Sequence, residues 1–286
     1  MTETTTIQRK RLRAHFGFTR MPFHKSMRAT QMYDSLSQRE LIAGLEMFTE
    51  VGGIALLTGP SGVGKSISVR RFVHGLDERR FHLVHFTYLP GTVAGFLRSL
   101  SRALGLRMRL HGADLFDAAQ DHLSSFEETH GPHPLLLIDD AEGLSEPVLD
   151  TIRRLTTGDI DADQRFSILL VGTDDIAHSL RRPSLDSLRS RIAYAHALRP
   201  FTLEDTRNYL RFHLERAEVD PSVFSDDAGR VLFQHSQGKP RLLNQLALHA
   251  LIAAAAIGRD TVDGRFLNQQ IAAHPLYRAT THDSAA

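Results

Sequence analysis

Residues Ile54–Leu76, "IALLTGPSGVGKSISVRRFVHGL", decide the fold. The opening run has no polar alternation and predicts a strand covered on both faces. The next residues, Gly59, Pro60, Ser61, Gly62, Val63, Gly64, Lys65 and Ser66, match G-x-x-x-x-G-K-[ST] between that strand and a predicted helix. Glycines let a loop turn its amides inward around phosphates, and the helix N-terminus adds partial positive charge. Lys65 can then reach β- and γ-phosphates, and the Ser66 hydroxyl can ligate magnesium. With glycine at about 7% of residues, a chance match in a chain this long has odds of roughly one in a hundred. ATP and Mg2+ are therefore the expected cofactors.

A second stretch, "PLLLIDDAEG" (Pro134–Gly143), drives an apolar strand into two adjacent carboxylates. Asp139 fits the magnesium-holding acid at the end of a second strand in phosphate-loop enzymes, and Asp140 stands where a carboxylate orients the attacking water. Asp140 is one methylene shorter than the usual Glu, about 1.5 Å less reach, and misplacement on the order of 1 Å can cost ~100-fold in rate. Slow hydrolysis is expected. Glu142 either supplies the missing base or begins the next helix, the second being favoured.

Around these landmarks strands and helices alternate. Ser37 with Glu40 reads as a capping box before a helix ending at Gly52 and Gly53. "FHLVHFTYL" is a second strand, "TVAGFLRSLSRALGL" a helix, and Asp114 caps the next helix, through about Phe126. Ser145 begins another helix, "FSILLVG" is a fourth strand and "YAHAL", 194–198, a fifth. This pattern predicts an α/β fold with a mostly parallel five-stranded sheet flanked by helices. Beyond Pro200 the strand signal fades, and helices capped by Thr202 and Ser225, with a third in "PRLLNQLALHALIAAAAIG", form a small all-helical lid. The expected divisions are a basic N-terminal arm at 1–15, a nucleotide-binding domain at 16–200, the lid at 201–275 and a disordered tail at 276–286.

The order of phosphate loop, "LLLIDDAE", "ILLVGTDD", "LDSLRSRIAYAHALRPFT" and "SQGKPRLLNQLALHAL", with a lead-in of Phe16, Gly17, Arg20, Pro22 and Phe23, resembles a known group. It is similar to the AAA+ ATPases grouped with secretion pathway protein A and the ATP-binding helper proteins of bacterial transposons, over roughly residues 16–270. The resemblance implies that Thr173 is the sensor between nucleotide and water. It implies that Arg191, with Arg189 as the alternative, is an arginine finger reaching a neighbouring subunit, so that assembly depends on ATP. It places Arg241 on a lid helix as a second sensor, and Pro22 and Phe23 near the adenine.

Bulk properties bound the task. Lys and Arg number 34 against 33 Asp and Glu, so polyanion binding has to come from local patches. The absence of cysteine excludes a disulfide scaffold and fits a reducing interior. No apolar run approaches the ~20 residues of a membrane span, and no secretory signal is visible, so a soluble, cytoplasmic chain with no membrane partner is expected. Histidine pairs such as His82 and His85, or His130 and His133, lack a partner set at metal spacing, and no metal beyond nucleotide-bound magnesium is expected. The resemblance favours a homo-oligomer, ring or helical filament, that binds double-stranded DNA non-specifically and recruits or regulates a transposase. Arg98, Arg102, Arg107 and Arg109 are the DNA candidates, with Lys10, Arg11 and Arg13 as an arm. The alternatives are an envelope or secretion assembly ATPase, and a slow nucleotide switch that binds a protein partner.

Overall fold

The computed structural model describes residues 3–24, 32–86, 90–108, 111–157 and 165–274. Helices α1 (Glu3–Phe16) and α2 (Leu36–Val51) precede strand β1 (Ile54–Thr58). There follow α3 (Lys65–Gly75), β2 (Phe81–His85), α4 (Val93–Ala103), α5 (Gly112–His130), β3 (His133–Ile138) and α6 (Glu146–Leu155). Then come β4 (Ser167–Val171), α7 (Asp174–Leu180), α8 (Asp186–Arg189) and β5 (Ile192–Ala197). The chain continues through α9 (Leu203–Arg216), α10 (Asp226–Ser236), α11 (Pro240–Ala256) and α12 (Gly264–Ala273).

The five strands form one sheet in the order β2-β3-β4-β1-β5, with every neighbouring pair parallel. This is the expected α/β sheet. Side chains alternate along a strand, so Ile54, Leu56, Leu136, Ile138, Ile168 and Leu170 face Phe96 and Leu100 of α4, Leu123 of α5 and Leu149 of α6. The intervening Ala55, Leu57, Leu135, Leu137, Leu169 and Val171 face Leu41, Leu45 and Phe48 of α2 and Val69 and Phe72 of α3. Both faces are covered, which is why the central strands read as unbroken apolar runs.

Two compact units are present: Leu36–Arg199, and Met1–Ser35 with Pro200–Ala286. The sequence pattern puts 16–35 with the nucleotide-binding part; instead Leu12, Phe18 and Phe23 lie in the core of the helical unit with Leu210, Leu214, Leu243 and Leu251. The aromatic lead-in has to bury its rings, and here it buries them among these helices, where Thr19 also donates its N–H to the Ala217 carbonyl at 3.1 Å.

Several boundaries move. Helix α2 starts at Leu36, so Ser37 lies inside its first turn and its hydroxyl accepts the Arg199 N–H at 3.3 Å instead of capping. Helix α5 starts after His111 and runs to His130, leaving Asp114 in the first turn and not at the cap. The edge strand β5 covers 192–197 in place of 194–198. Thr202 does cap α9, in a reciprocal capping box with Asp205, and Ser225 accepts the Ala228 N–H at the start of α10. Helix α12, capped by Asp263, adds a fourth helix after Pro200 that the pattern does not announce: only Phe266, Leu267 and Ile271 of its ten residues are large and apolar. The expected tail at 276–286 lies outside the described residues.

Candidate nucleotide site

Parallel strands deliver their carboxyl ends to one edge of the sheet, where α/β proteins place ligands. β1 ends there in the phosphate loop. Gly59 has φ +146°, and a Cβ on it would lie 2.6 Å from the Leu198 carbonyl oxygen; the Leu198 N–H in turn donates to the Thr58 carbonyl at 2.8 Å. The loop can pass β5 only as glycine. Gly64, at φ +114°, then turns the chain into α3.

Lys65, the first residue of α3, donates from Nζ to the carbonyls of Gly59 at 2.8 Å and Pro60 at 3.2 Å. The ammonium is thus folded back across the loop that precedes it. Burial pushes its pKa down, against Glu142, Asp139, Asp174 and Asp140, whose charges push it up. The Ser66 hydroxyl donates to Asp139 Oδ2 at 3.1 Å, and Asp139 Oδ1 accepts the Asp140 N–H at 2.9 Å. A hydroxyl from the first turn of α3 and a carboxylate just past the end of β3 therefore meet as hard oxygen donors, the set that suits magnesium. The loop, Lys65 and this pair fit a magnesium nucleotide.

Asp140 is exposed and takes the left-handed conformation (φ 54°, ψ 37°), which Asp tolerates better than most side chains. Glu142 does not begin the next helix. It sits in a short 3-10 turn, Ala141–Gly143, and α6 starts only at Glu146. Its Oε2 accepts the Thr173 N–H at 3.1 Å, while the Thr173 hydroxyl donates to Asp175 Oδ2 at 3.2 Å. The structure therefore brings together Gly59–Ser66, Asp139, Asp140 and Thr173, together with Glu142, which lies ahead of the helix the sequence pattern favours for it. It also brings in buried Gln38, which donates from Nε2 to Ser68 Oγ at 3.3 Å behind the loop. No local motif marks Gln38.

The remaining candidates are distributed as follows. Arg191 is exposed just before β5 and forms no ion pair among the described residues, whereas Arg189 is paired with Asp186. Arg241 is exposed in the first turn of α11, in the helical unit. Pro22 and Phe23 are buried in that unit; the Phe23 N–H donates to His213 Nδ1 at 3.2 Å and the two rings lie 4.8 Å apart. Arg98 and Arg102 are exposed on α4, opposite buried Leu97 and Leu100, and Arg107 is exposed beyond it. Arg109 lies outside the described residues. Of the arm, Lys10 and Arg11 are exposed, and Arg13 donates to the carbonyls of Phe18 and Thr19. Among the described residues no group of three or more His, Asp or Glu side chains could hold a metal ion, and no helix is long and apolar enough to cross a membrane.

The AAA domain family matches residues 49–180. General secretion pathway protein A of Aeromonas hydrophila is 30% identical over 255 residues, an alignment covering 86% of this chain and 45% of that protein. The chain thus spans about half the length of the curated relative it matches. Among solved structures, Cdc6p of Pyrobaculum aerophilum is 20% identical with a TM-score of 0.61, covering 84% of this chain and 67% of that one. The ORC2 protein of Aeropyrum pernix is 16% identical with a TM-score of 0.62, covering 87% and 70%. At these identities the two structures speak to the fold alone. The sheet order, the loop after β1 and these likenesses agree: the chain has the AAA+ fold, carries an AAA domain and is related to general secretion pathway protein A.

Proposed function

We propose that the chain is an ATP hydrolase that binds Mg-ATP at the loop between β1 and α3, assembles with copies of itself, and drives a secretion-type envelope assembly step from the cytoplasmic side. The observation that carries the nucleotide part is the pairing of Ser66 Oγ with Asp139 Oδ2 beside the Lys65 ammonium. Loop amides and Lys65 would hold the phosphates, and Ser66 and Asp139 the metal. Bound magnesium would neutralise charge developing on the transferred phosphoryl group. Lys65 is kept in a partly desolvated place, where its charge counts for more than in water. Asp140, short and exposed, is the weak point of the water side, and it supports slow turnover that acts as a timer for disassembly. Arg191, exposed and without an ion pair among the described residues, suits a finger for a neighbouring subunit, because a guanidinium stays charged and can bridge phosphate oxygens. Arg241 is proposed as the lid sensor.

The secretion assignment is supported by the relative's name and by the length of the alignment. The DNA-and-transposase expectation gains nothing from that relative. It keeps one supporting observation, the exposed Arg98, Arg102 and Arg107, none of which forms an ion pair among the described residues. Such a row would give sequence-independent, salt-sensitive phosphate contacts. One pair of experiments separates the two. Deleting the gene in its own host should lower the protein released to the medium, with rescue by the wild type and not by Lys65→Ala. Unchanged secretion, together with ATP-dependent filaments or rings on duplex DNA by electron microscopy, would overturn the secretion reading in favour of DNA.

A further inference from the structure

The turn after β3 does more than carry Asp139. Asp140, in its left-handed conformation, reverses the chain, Ala141 is fully buried, and Glu142 is brought back against the end of β4. There its Oε2 accepts the Thr173 N–H at 3.1 Å. The fit is close: a Cβ on Gly172 would lie 2.7 Å from that same oxygen and 3.3 Å from the Glu142 amide nitrogen. Gly172 is itself fixed, because its N–H donates to the Leu57 carbonyl of β1 at 3.0 Å. The N–H of Thr173 lies at the start of α7, where amides have no intrahelical acceptor. Glu142 satisfies it from another strand.

Resting on the ATPase reading above, we propose that Glu142 is a positioning residue for hydrolysis: its carboxylate holds the Thr173 backbone in register with the magnesium-side strand, so that β3 and β4 present Asp139 and Thr173 as one rigid edge. Its role is that of a hydrogen-bond acceptor and not of a base. Among the acids whose charges raise the pKa of Lys65 against its burial, Glu142 contributes most. The geometry of the Gly172 contact explains why the end of β4 has no side chain at that position.

The test uses the full chain, with single-turnover ATP hydrolysis and the affinity for a fluorescent ATP analogue measured side by side. Glu142→Ala should slow hydrolysis on the order of 30- to 100-fold, the scale of an error of about 1 Å at a reacting centre, with affinity changed less than about 3-fold. Glu142→Gln keeps an acceptor oxygen for the Thr173 N–H and should stay within about 3-fold of wild type. Gly172→Ala, which pushes the carboxylate away without altering it, should reproduce the slow hydrolysis and keeps the proposal testable if Glu142→Ala does not fold. Thr173→Ala added to Glu142→Ala should cost little more, since coupled residues are not additive. If Glu142→Gln were as slow as Glu142→Ala, the carboxylate would be acting as a base or charge, and the positioning role would be wrong. Wild-type rates in Glu142→Ala would remove Glu142 from hydrolysis while leaving the ATPase reading intact. A wild-type protein that binds but never cleaves ATP would remove both.

Discussion

Acid should loosen the helical unit most through one buried side chain, His213. It lies on α9 with 4% of its surface exposed, its Nδ1 accepting the Phe23 N–H at 3.2 Å, and its Nε2 is buried without a hydrogen-bond partner among the described residues. Burial, followed by the nearby Arg216 cation, depresses its pKa to about 3. An unfolded histidine takes up its proton near pH 6.5. Between those two values the unfolded chain binds a proton that the folded unit refuses, so stability is full above about pH 6.5 and declines as pH falls toward about 3. At 1.36 kcal/mol per pH unit, acidification from pH 7 to pH 5 should remove about 2 kcal/mol. Hydrogen exchange in peptides from α9, α10 and α11, corrected for intrinsic exchange rates, would measure it. His213→Leu is the control. It orphans the Phe23 N–H at a pH-independent cost of ~1–3 kcal/mol, but it abolishes the titration. The wild-type unit should therefore lose about 2 kcal/mol more than the variant over that interval. Equal losses in the two proteins would refute the account.

Three further outcomes follow from the nucleotide edge. Lys65→Ala should weaken ATP-analogue binding by at least 100-fold, by removing the cation that spans the Gly59 and Pro60 carbonyls, while the circular dichroism spectrum is unchanged. Asp139→Asn should leave metal-free nucleotide binding within about 3-fold yet raise the magnesium concentration needed for half-maximal hydrolysis by ten-fold or more, because a neutral amide is a poorer ligand for a hard dication; a magnesium titration decides it. Gly59→Ala should destabilise the α/β unit by about 1–3 kcal/mol, since its Cβ would meet the Leu198 oxygen at 2.6 Å in a backbone region that side chains avoid; a lowered melting temperature with and without ATP is the expected result.

The sequence revealed the central strands because burial on both faces leaves no polar alternation, as in β1 and β4, where every position is buried. The phosphate loop was legible for a different reason: glycine positions, a lysine and a hydroxyl are required there by local chemistry. The edge strand β5 alternates between half-buried and exposed positions, and its start was correspondingly misplaced. Glu142 was unreadable because its partner, the Thr173 N–H, is thirty-one residues away and carries no side-chain signature. Pattern alone leaves the lead-in with the nucleotide domain because it cannot say which neighbour buries Phe18 and Phe23; that choice is tertiary. Caps behaved likewise. Thr202 and Ser225 satisfied helix amides a few residues away, whereas Ser37 was diverted by the distant Arg199 backbone.

That diversion has a structural consequence. The α/β unit is one uninterrupted segment, Leu36–Arg199, set between the two sequence pieces of the helical unit. Its ends are fastened to each other, by the Arg199 N–H on Ser37 Oγ and by the Arg199 guanidinium on Glu40 at 2.9 Å. A module whose entry and exit lie within hydrogen-bonding reach behaves as a cassette: it can be excised whole, rejoined through a short linker as a circular permutant, or exchanged for another phosphate-loop module without cutting a strand.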